Sequence, residues 1–559
     1  MRRFLLASLL LLAAFGCSRR DANRADIVLV NARIHTLSGD INHTEPDATA
    51  LAVRGDEIVY VGGDDGAQAW VGEGTRRIDL AGAAVLPGLV DAHAHLADLG
   101  HLLREVSLFG TPSSEDVRRL VMAAVASAPA GTWVRGRGWD QNDWAEKAFP
   151  GWRDLAGTES HPVVLERVDG HAYWLNQTAL SACGITRDTR DPAGGRIVRD
   201  ASGEPTGILV DEAQELVETQ LPEPGPAEMD TSLARATREC VRLGLTGVHD
   251  AGTTRAELDA LRRLAEAGRL PINVYVMLDS DEPGLVSEQF ARGPAEEFGG
   301  RIVIRALKLR ADGALGSRGA ALLADYSDDA GNRGLDVDAA DSLFAGTQAA
   351  LRHGFQVATH AIGDRGNRTI LDLYERALAE ANARNARLRV EHCQVLSPDD
   401  IPRFAALGVV ASMQPTHATS DMPWAETRVG PERLAGAYAW RTLMQSGATL
   451  AFGSDFPVES ANPLLGLYAA VTRQDAAGNP EGGWRAAEAL TLDEAVRAFT
   501  QGSAWAAFDE ARGGTIAIGR RADLTILERD PYQLPASALL DLRVRATVVR
   551  GAVVYEATR

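Results

Sequence analysis

Lysine is nearly missing from this chain. Arginine takes almost every cationic position, and among 559 residues only Lys147 and Lys308 break the pattern. Cysteine is scarce too: four occur, Cys17, Cys183, Cys240 and Cys393, none in the C-x-x-C spacing of a zinc or redox site. Once Cys17 is assigned to an export signal an odd three remain, so at least one thiol is unpaired unless it bridges two chains. No disulfide framework is readable. Cys393 reads as a small packed hydrophobe. Positive charge is in deficit as well. The formal net charge of -19 argues against a nucleic-acid partner and against direct adhesion to anionic lipid, although it says nothing about the polarity of a pocket. The N-terminal apolar run, Phe4 to Phe15, is about a dozen residues where a spanning helix needs roughly twenty, so no transmembrane anchor is expected.

What is present is an ordinary globular composition, 45% hydrophobic and 24% charged, in a chain longer than one hydrophobic core usually serves. Residues 1–17 pair arginines with an apolar stretch and small Gly16 before Cys17, the pattern of an export signal. "AAFGC" resembles a bacterial lipobox, which places the chain at the periplasmic face of a membrane with Cys17 lipidated. Cleavage near Gly16 to a soluble periplasmic product is the alternative.

Short β-branched runs broken by Gly and Asp fill residues 25–85, and the same style returns over 506–559. Together these predict one small β-sandwich domain built from both termini. Between 86 and 505, apolar strands alternate with helical patterns, which calls for parallel strands with helical crossovers and fits a distorted (β/α)8 barrel with insertions. The strand candidates are "VLPGLVDAHAH", "PVVLERVDGH", "LTGVHDAG", "RIVIRALKLRADG", "GFQVATHAIGD", "LRVEHCQ", "GVVASMQP" and "ATLAFGSD", with "INVYVML" as a ninth. Helix starts are expected at Ser113 or Ser114, at Ser397, and at Thr491 with Glu494 in capping-box spacing. "LPEPGPAEMD" reads as a Pro-rich surface linker.

His93 and His95 stand two apart on a strand, so both imidazoles share a face. At the C-terminal end of a barrel strand that face is the active-site mouth. Alone, an H-x-H is weak. Polar residues recur, however, at the ends of later strands: Lys308, His360, His392 and Asp455. Convergence of that kind is what a metal site requires.

With these residues the chain resembles the amidohydrolase superfamily, within it the YtcJ-like, amidohydrolase-3 type. The stretches that carry the likeness are "LPGLVDAHAH", "GRGWDQ", "RVDGHAYWLNQTAL", "KLRADGALGSRGAAL", "THAIGDRGN", "RVEHCQ", "MQPTHATSDMPWA", "LAFGSDFPVESANPLLGL" and "GTIAIGRRADLTIL". The resemblance implies one or two divalent metals, commonly zinc, with His93, His95, His360, His392 and Asp455 as ligands. It also makes Lys308 a candidate for carboxylation, because a buried neutral lysine reacts with CO2 to an anion that bridges cations and an arginine does not. Pairing of Lys308 with Asp312 or a neighbouring acid is the alternative. The implied reaction is hydrolysis of a non-peptide C–N bond in a small-molecule amide by metal-activated water, with Asp455 as proton shuttle. His171 and His417 are candidates for contacts to substrate or developing oxyanion, and Trp139, Asp140 and Arg318 for pocket lining, Arg318 suiting a substrate carboxylate. Membrane contact is expected only through lipid on Cys17, and a homo-oligomer is compatible with the sequence. Two rivals stand beside this reading: a mononuclear deaminase, which in this superfamily wants a glutamate where "HAIGDRGN" has Asp364, and a non-catalytic metal-containing binding lipoprotein.

Overall fold

Eight parallel strands carry the chain's centre: β1 (Leu89–Ala94), β2 (Leu245–Thr253), β3 (Asn273–Asp279), β4 (Ile302–Arg310), β5 (Gln356–Ala361), β6 (Arg389–His392), β7 (Val410–Met413) and β8 (Thr449–Phe452). Each pairs with the next in chain order, all in parallel. The structure is a computed structural model that describes residues 24–141, 144–167, 172–192, 195–221 and 225–558. The export signal over 1–17, Cys17 and His171 lie outside the described residues.

Strands such as β2 are buried along almost their whole length, as parallel strands covered on both faces must be. Helices supply the outer cover. Arg255–Glu266 starts with a Thr254–Glu257 capping box and buries Leu258, Leu261 and Leu264, a stripe at helical spacing. The ring closes between β8 and β1 just beyond their C-terminal ends, where Asp455 N donates to His93 O at 2.8 Å and His95 N donates to Phe456 O at 2.9 Å. Gly453 is required at this seam: a Cβ there would stand 2.5 Å from Asp91 Oδ1 and 2.6 Å from His93 N.

Nine strand candidates become eight because Val163–Arg167 leaves the barrel. It pairs in parallel with Val134–Trp139 and antiparallel with Ala172–Leu175, so both its edges are used inside a six-stranded insertion sheet. "INVYVML" is β3. Ser113 and Thr491 cap helices as expected, each side chain accepting from the amide three residues on. The helix expected after Ser397 begins only at Ile401, because residues 398–400 form a turn first. The second half of "LPEPGPAEMD" is no linker. Pro226 opens a helix running to Arg242, proline being suited to a first turn whose amides are unpaired anyway.

Two further sheets stand at the chain ends. One joins Glu57–Gly62, Ala50–Arg54, Ile27–Val30 and Arg76–Asp79; the other joins Arg33–Ile34, Ala84–Pro87, Leu524–Leu527, Val544–Val549 and Ala552–Glu556. Ile27, Leu29, Leu51, Val53, Val85, Leu524, Ile526 and Val548 form one apolar cluster between them. Leu524–Leu527 pairs antiparallel with Ala84–Pro87, which runs through Gly88 into β1. Among the described residues no helix is long and apolar enough to cross a membrane.

Candidate metal centre

The end of β1 supplies His93 and, one residue beyond it, His95. Their partner is Asp455, held in a left-handed conformation (φ 61°) after β8. His95 Nε2 lies 3.1 Å and His93 Nε2 3.5 Å from Asp455 Oδ1, while His417 Nε2 lies 3.7 Å from the other oxygen, Oδ2. Donors around a four-coordinate ion at bond lengths of about 2.0–2.1 Å stand roughly 3.3 Å apart, so these spacings suit cation binding. Among the described residues two triads gather their ligand atoms within 4.8 Å of one another, His93 with His95 and Asp455, and His392 with His417 and Asp455.

His392 reaches this point by a backbone irregularity. Arg389 and Glu391 face the barrel interior, and strand alternation would send His392 the other way. Its φ of 77°, followed by 45° at Cys393, brings the ring back to 4.8 Å from His93 and 4.5 Å from His360, centroid to centroid. His392 Nδ1 is 3.0 Å from Gln414 Oε1. His360 Nε2 is 3.6 Å from Asp312 Oδ1. Asp312 accepts the amides of Ala321, Ile362 and Gly363, so it braces the loops after β4 and β5 and is not the partner of Lys308.

Protonation states follow from burial. Burial pushes His93 and His392 down and His360 to about 3, leaving neutral imidazoles, the metal-binding form. For His95 burial works downward, yet the hydrogen bond to Asp455 prevails and raises it. Burial alone would raise Asp455; the surrounding imidazoles, His95 first, hold it well below the usual carboxylate range. Lys308, only 5% exposed, is pushed down to about 8 by burial, against the pull of Glu391 and Asp455. His93 Nε2, His360 Nε2 and both ring nitrogens of His417 are buried without hydrogen-bond partners. Orphaned nitrogens of His93 and His417 facing the ionised Asp455 are costly unless something fills the space between them, so the donor set fits a divalent ion.

The structure therefore brings together His93, His95, Lys308, His360, His392, His417 and Asp455. It does not bring Trp139, Asp140 or Arg318 to an open pocket wall. Trp139 is fully buried in the insertion, its Nε1 donating to Leu165 O at 2.9 Å and its ring packed against Trp144, Phe149 and Trp174. Asp140 is paired with Arg167 at 2.9 Å. Arg318 grips Asp328 with two hydrogen bonds of 3.1 and 2.9 Å, and Arg428 shares that carboxylate. A guanidinium so engaged is not offered to a substrate.

Four residues not singled out from the sequence support the site. Asp91, raised to about 7 by burial, accepts from His93 N, Ser454 N and Ser454 Oγ and so ties β1 to β8. Glu391 holds His93, Arg389 holds Glu391, and Gln414 orients His392. Alternation in "RVEH" already sets Arg389 and Glu391 on one face, a signal that was available.

A parallel eight-stranded barrel with imidazoles and a carboxylate gathered at its C-terminal mouth defines a metal-dependent hydrolase. The chain belongs to the amidohydrolase family, whose sequence pattern matches residues 76–555, a family with hydrolases that act on carbon–nitrogen bonds. It is 35% identical to the putative amidohydrolase YtcJ of Bacillus subtilis over 489 residues, covering 86% of this chain and 91% of that one. It is 27% identical to the N-substituted formamide deformylase of Arthrobacter pascens over 551 residues, 95% and 99% of the two chains. Among solved structures, an uncharacterised metal-dependent hydrolase from Pyrococcus horikoshii OT3 superposes with a TM-score of 0.75 at 29% identity, covering 91% of this chain and 99% of the other.

Proposed function

We propose that this chain hydrolyses the C–N bond of a small-molecule amide, of N-acyl or N-formyl type, with Asp455 as the proton shuttle. The observation that carries the reading is the division of the Asp455 carboxylate, one oxygen facing His93 and His95 and the other facing His417. His93, His95, His360, His392 and Asp455, with Lys308, would hold the ion, and a nitrogen-rich donor set of this kind suits zinc. A divalent ion here supplies Lewis acidity at the carbonyl and makes water acidic enough to attack near neutral pH.

The chain's own residues do the rest. Asp455 takes the proton that water loses as it adds to the carbonyl, and returns it to the nitrogen as the C–N bond breaks, so an amine and a carboxylic acid leave. Without that return the leaving group would be an amide anion. His417, with both nitrogens unpartnered, is set to donate to the oxygen on which charge develops. Lys308, buried and with its basicity reduced, is the residue suited to carboxylation. The formamide deformylase relative supports the N-formyl end of the substrate class.

The deaminase alternative is not favoured, because Asp364 is engaged in accepting the amides of Leu323 and Arg365, at 2.8 and 3.0 Å. A purely binding role is not favoured either, since it needs no proton carrier beside the ligands. The export signal supports a location at the periplasmic face with lipid on Cys17; the expected outcome is fatty-acid labelling of the full chain that Cys17→Ser abolishes.

The test of the reaction is metal analysis of purified protein combined with a panel of N-substituted formamides and N-acyl amino acids. Asp455→Asn should lose about 10²–10⁴-fold in turnover while the fold survives. Full turnover by that variant would remove the shuttle from the mechanism.

A further inference from the structure

Behind the metal centre, inside the barrel, runs a buried chain of charged and polar groups that the reaction does not touch. His93 Nδ1 lies 2.5 Å from Glu391 Oε2. Arg389 donates Nε to Glu391 Oε1 at 2.7 Å and Nη2 to Oε2 at 3.0 Å. The same Nη2 donates to Ala92 O at 2.6 Å and to Ser412 Oγ at 3.0 Å, and Nη1 meets His249 Nδ1 at 2.9 Å. Arg389 and Glu391 expose nothing to solvent. One guanidinium on β6 thereby reaches β1, β2 and β7. His249, at the far end, lines a cavity of about 60 Å³ together with Tyr275 and Thr246.

We propose that Arg389 and Glu391 are positioning residues for His93, fixing its tautomer and its place on β1 together. Every step is forced by donor and acceptor inventory. Arg389 only donates, so the oxygens of Glu391 that receive it act as acceptors. The same carboxylate can only accept from His93, so Nδ1 carries the proton and the lone pair sits on Nε2. That atom is the buried, unpartnered one, 3.5 Å from Asp455 Oδ1. Through Ala92 O the guanidinium also holds the backbone one residue before His93. Ring and main chain are thus referenced to one rigid fork, which lysine could not reproduce because its ammonium lacks a planar set of donors. Burying a full ion pair is expensive, and filling the barrel would be achieved as well by apolar side chains. What apolar side chains would not do is dictate which nitrogen of His93 is bare. A carboxylate behind a ligating imidazole raises its basicity and holds its orientation, and loss of such a partner weakens metal binding about 10–100-fold.

The inference rests on the reading of His93 as a ligand, but its first test does not. In metal-free full-length protein labelled with ¹⁵N-histidine, the wild-type His93 ring should show one tautomer, protonated at Nδ1. Glu391→Gln should yield a mixture or the opposite tautomer. In the second measurement, chelator competition should show zinc held about 10–100-fold more weakly by Glu391→Gln, and by Arg389→Lys if the first variant does not fold. His249→Gln, remote from the mouth, should shift the same His93 resonances. An unchanged His93 tautomer together with unchanged zinc affinity in these variants overturns the proposal. Failure of wild-type protein to bind zinc would instead remove the metal reading, while the tautomer result still decides the positioning role.

Discussion

Lys308 is the residue in which cost and use meet. Burial lowers it from 10.5 to about 8, so between those values the unfolded chain holds a proton that the folded one has released. Stability of the metal-free protein therefore rises with pH across that window, and below pH 8 the full cost of burying the ammonium, roughly 3 kcal/mol for a shift of this size, is present. Lys308→Met should be the more stable protein in urea melts at pH 7, with the gap narrowing by pH 10. A gap independent of pH would mean the ammonium is not desolvated. For activity the sign reverses: if Lys308 is carboxylated as proposed, Lys308→Ala should be inactive and partly restored by short carboxylates, which would take the place of the carbamate. At this scale much of the site was legible. Period two and strand-end position were enough to select His93, His95, Lys308, His360, His392 and Asp455. Trp139 and Arg318 misled because a residue beside a motif need not face the pocket: Trp139, at the end of a strand of the insertion sheet, found an aromatic cluster and Arg318 found Asp328. His392 was selected by its position at a strand end, yet it reaches the site only through a positive φ that no residue pattern announces.

At the level of elements, the informative feature is the seam between β8 and β1. Gly453 passes so close to Asp91 and His93 N that Gly453→Ala must push one of the two strands away. We expect a loss of about 1–3 kcal/mol, the usual cost of overpacking a tight site, together with weaker metal retention, because the atoms displaced include the amide of His93 and the Asp91 carboxylate that accepts from it. Calorimetry with metal analysis on the same sample checks both, and a variant with wild-type melting and metal content would show the seam to be looser than its distances. The parallel barrel was readable from strands alternating with helical patterns. The insertion sheet was not, because "PVVLER" has the composition of a barrel strand, and only its antiparallel neighbour Ala172–Leu175 assigns it elsewhere. Composition tells how a strand is buried, not which sheet buries it.

Over the whole molecule, the two ends of the chain depend on each other. Thr525 Oγ1 accepts from Leu89 N at 3.0 Å and donates to Gly244 O at 2.7 Å, so a C-terminal strand braces the entries to β1 and β2. Deleting residues 524–559 should give protein that is insoluble or melts far below the full chain; a soluble, active product would show that this strand is dispensable. The similarity in style between the terminal segments was visible in the sequence, whereas the pairing of Leu524–Leu527 with Ala84–Pro87 was not, since register across more than four hundred residues leaves no local mark. That pairing bears on synthesis. A ribosome makes Ala84–Pro87 more than four hundred residues before the strand that covers its edge, so through that interval this apolar edge is bare and able to recruit a neighbouring nascent chain. Slow elongation or a premature stop late in the message should therefore appear as aggregation, not as a shortened enzyme.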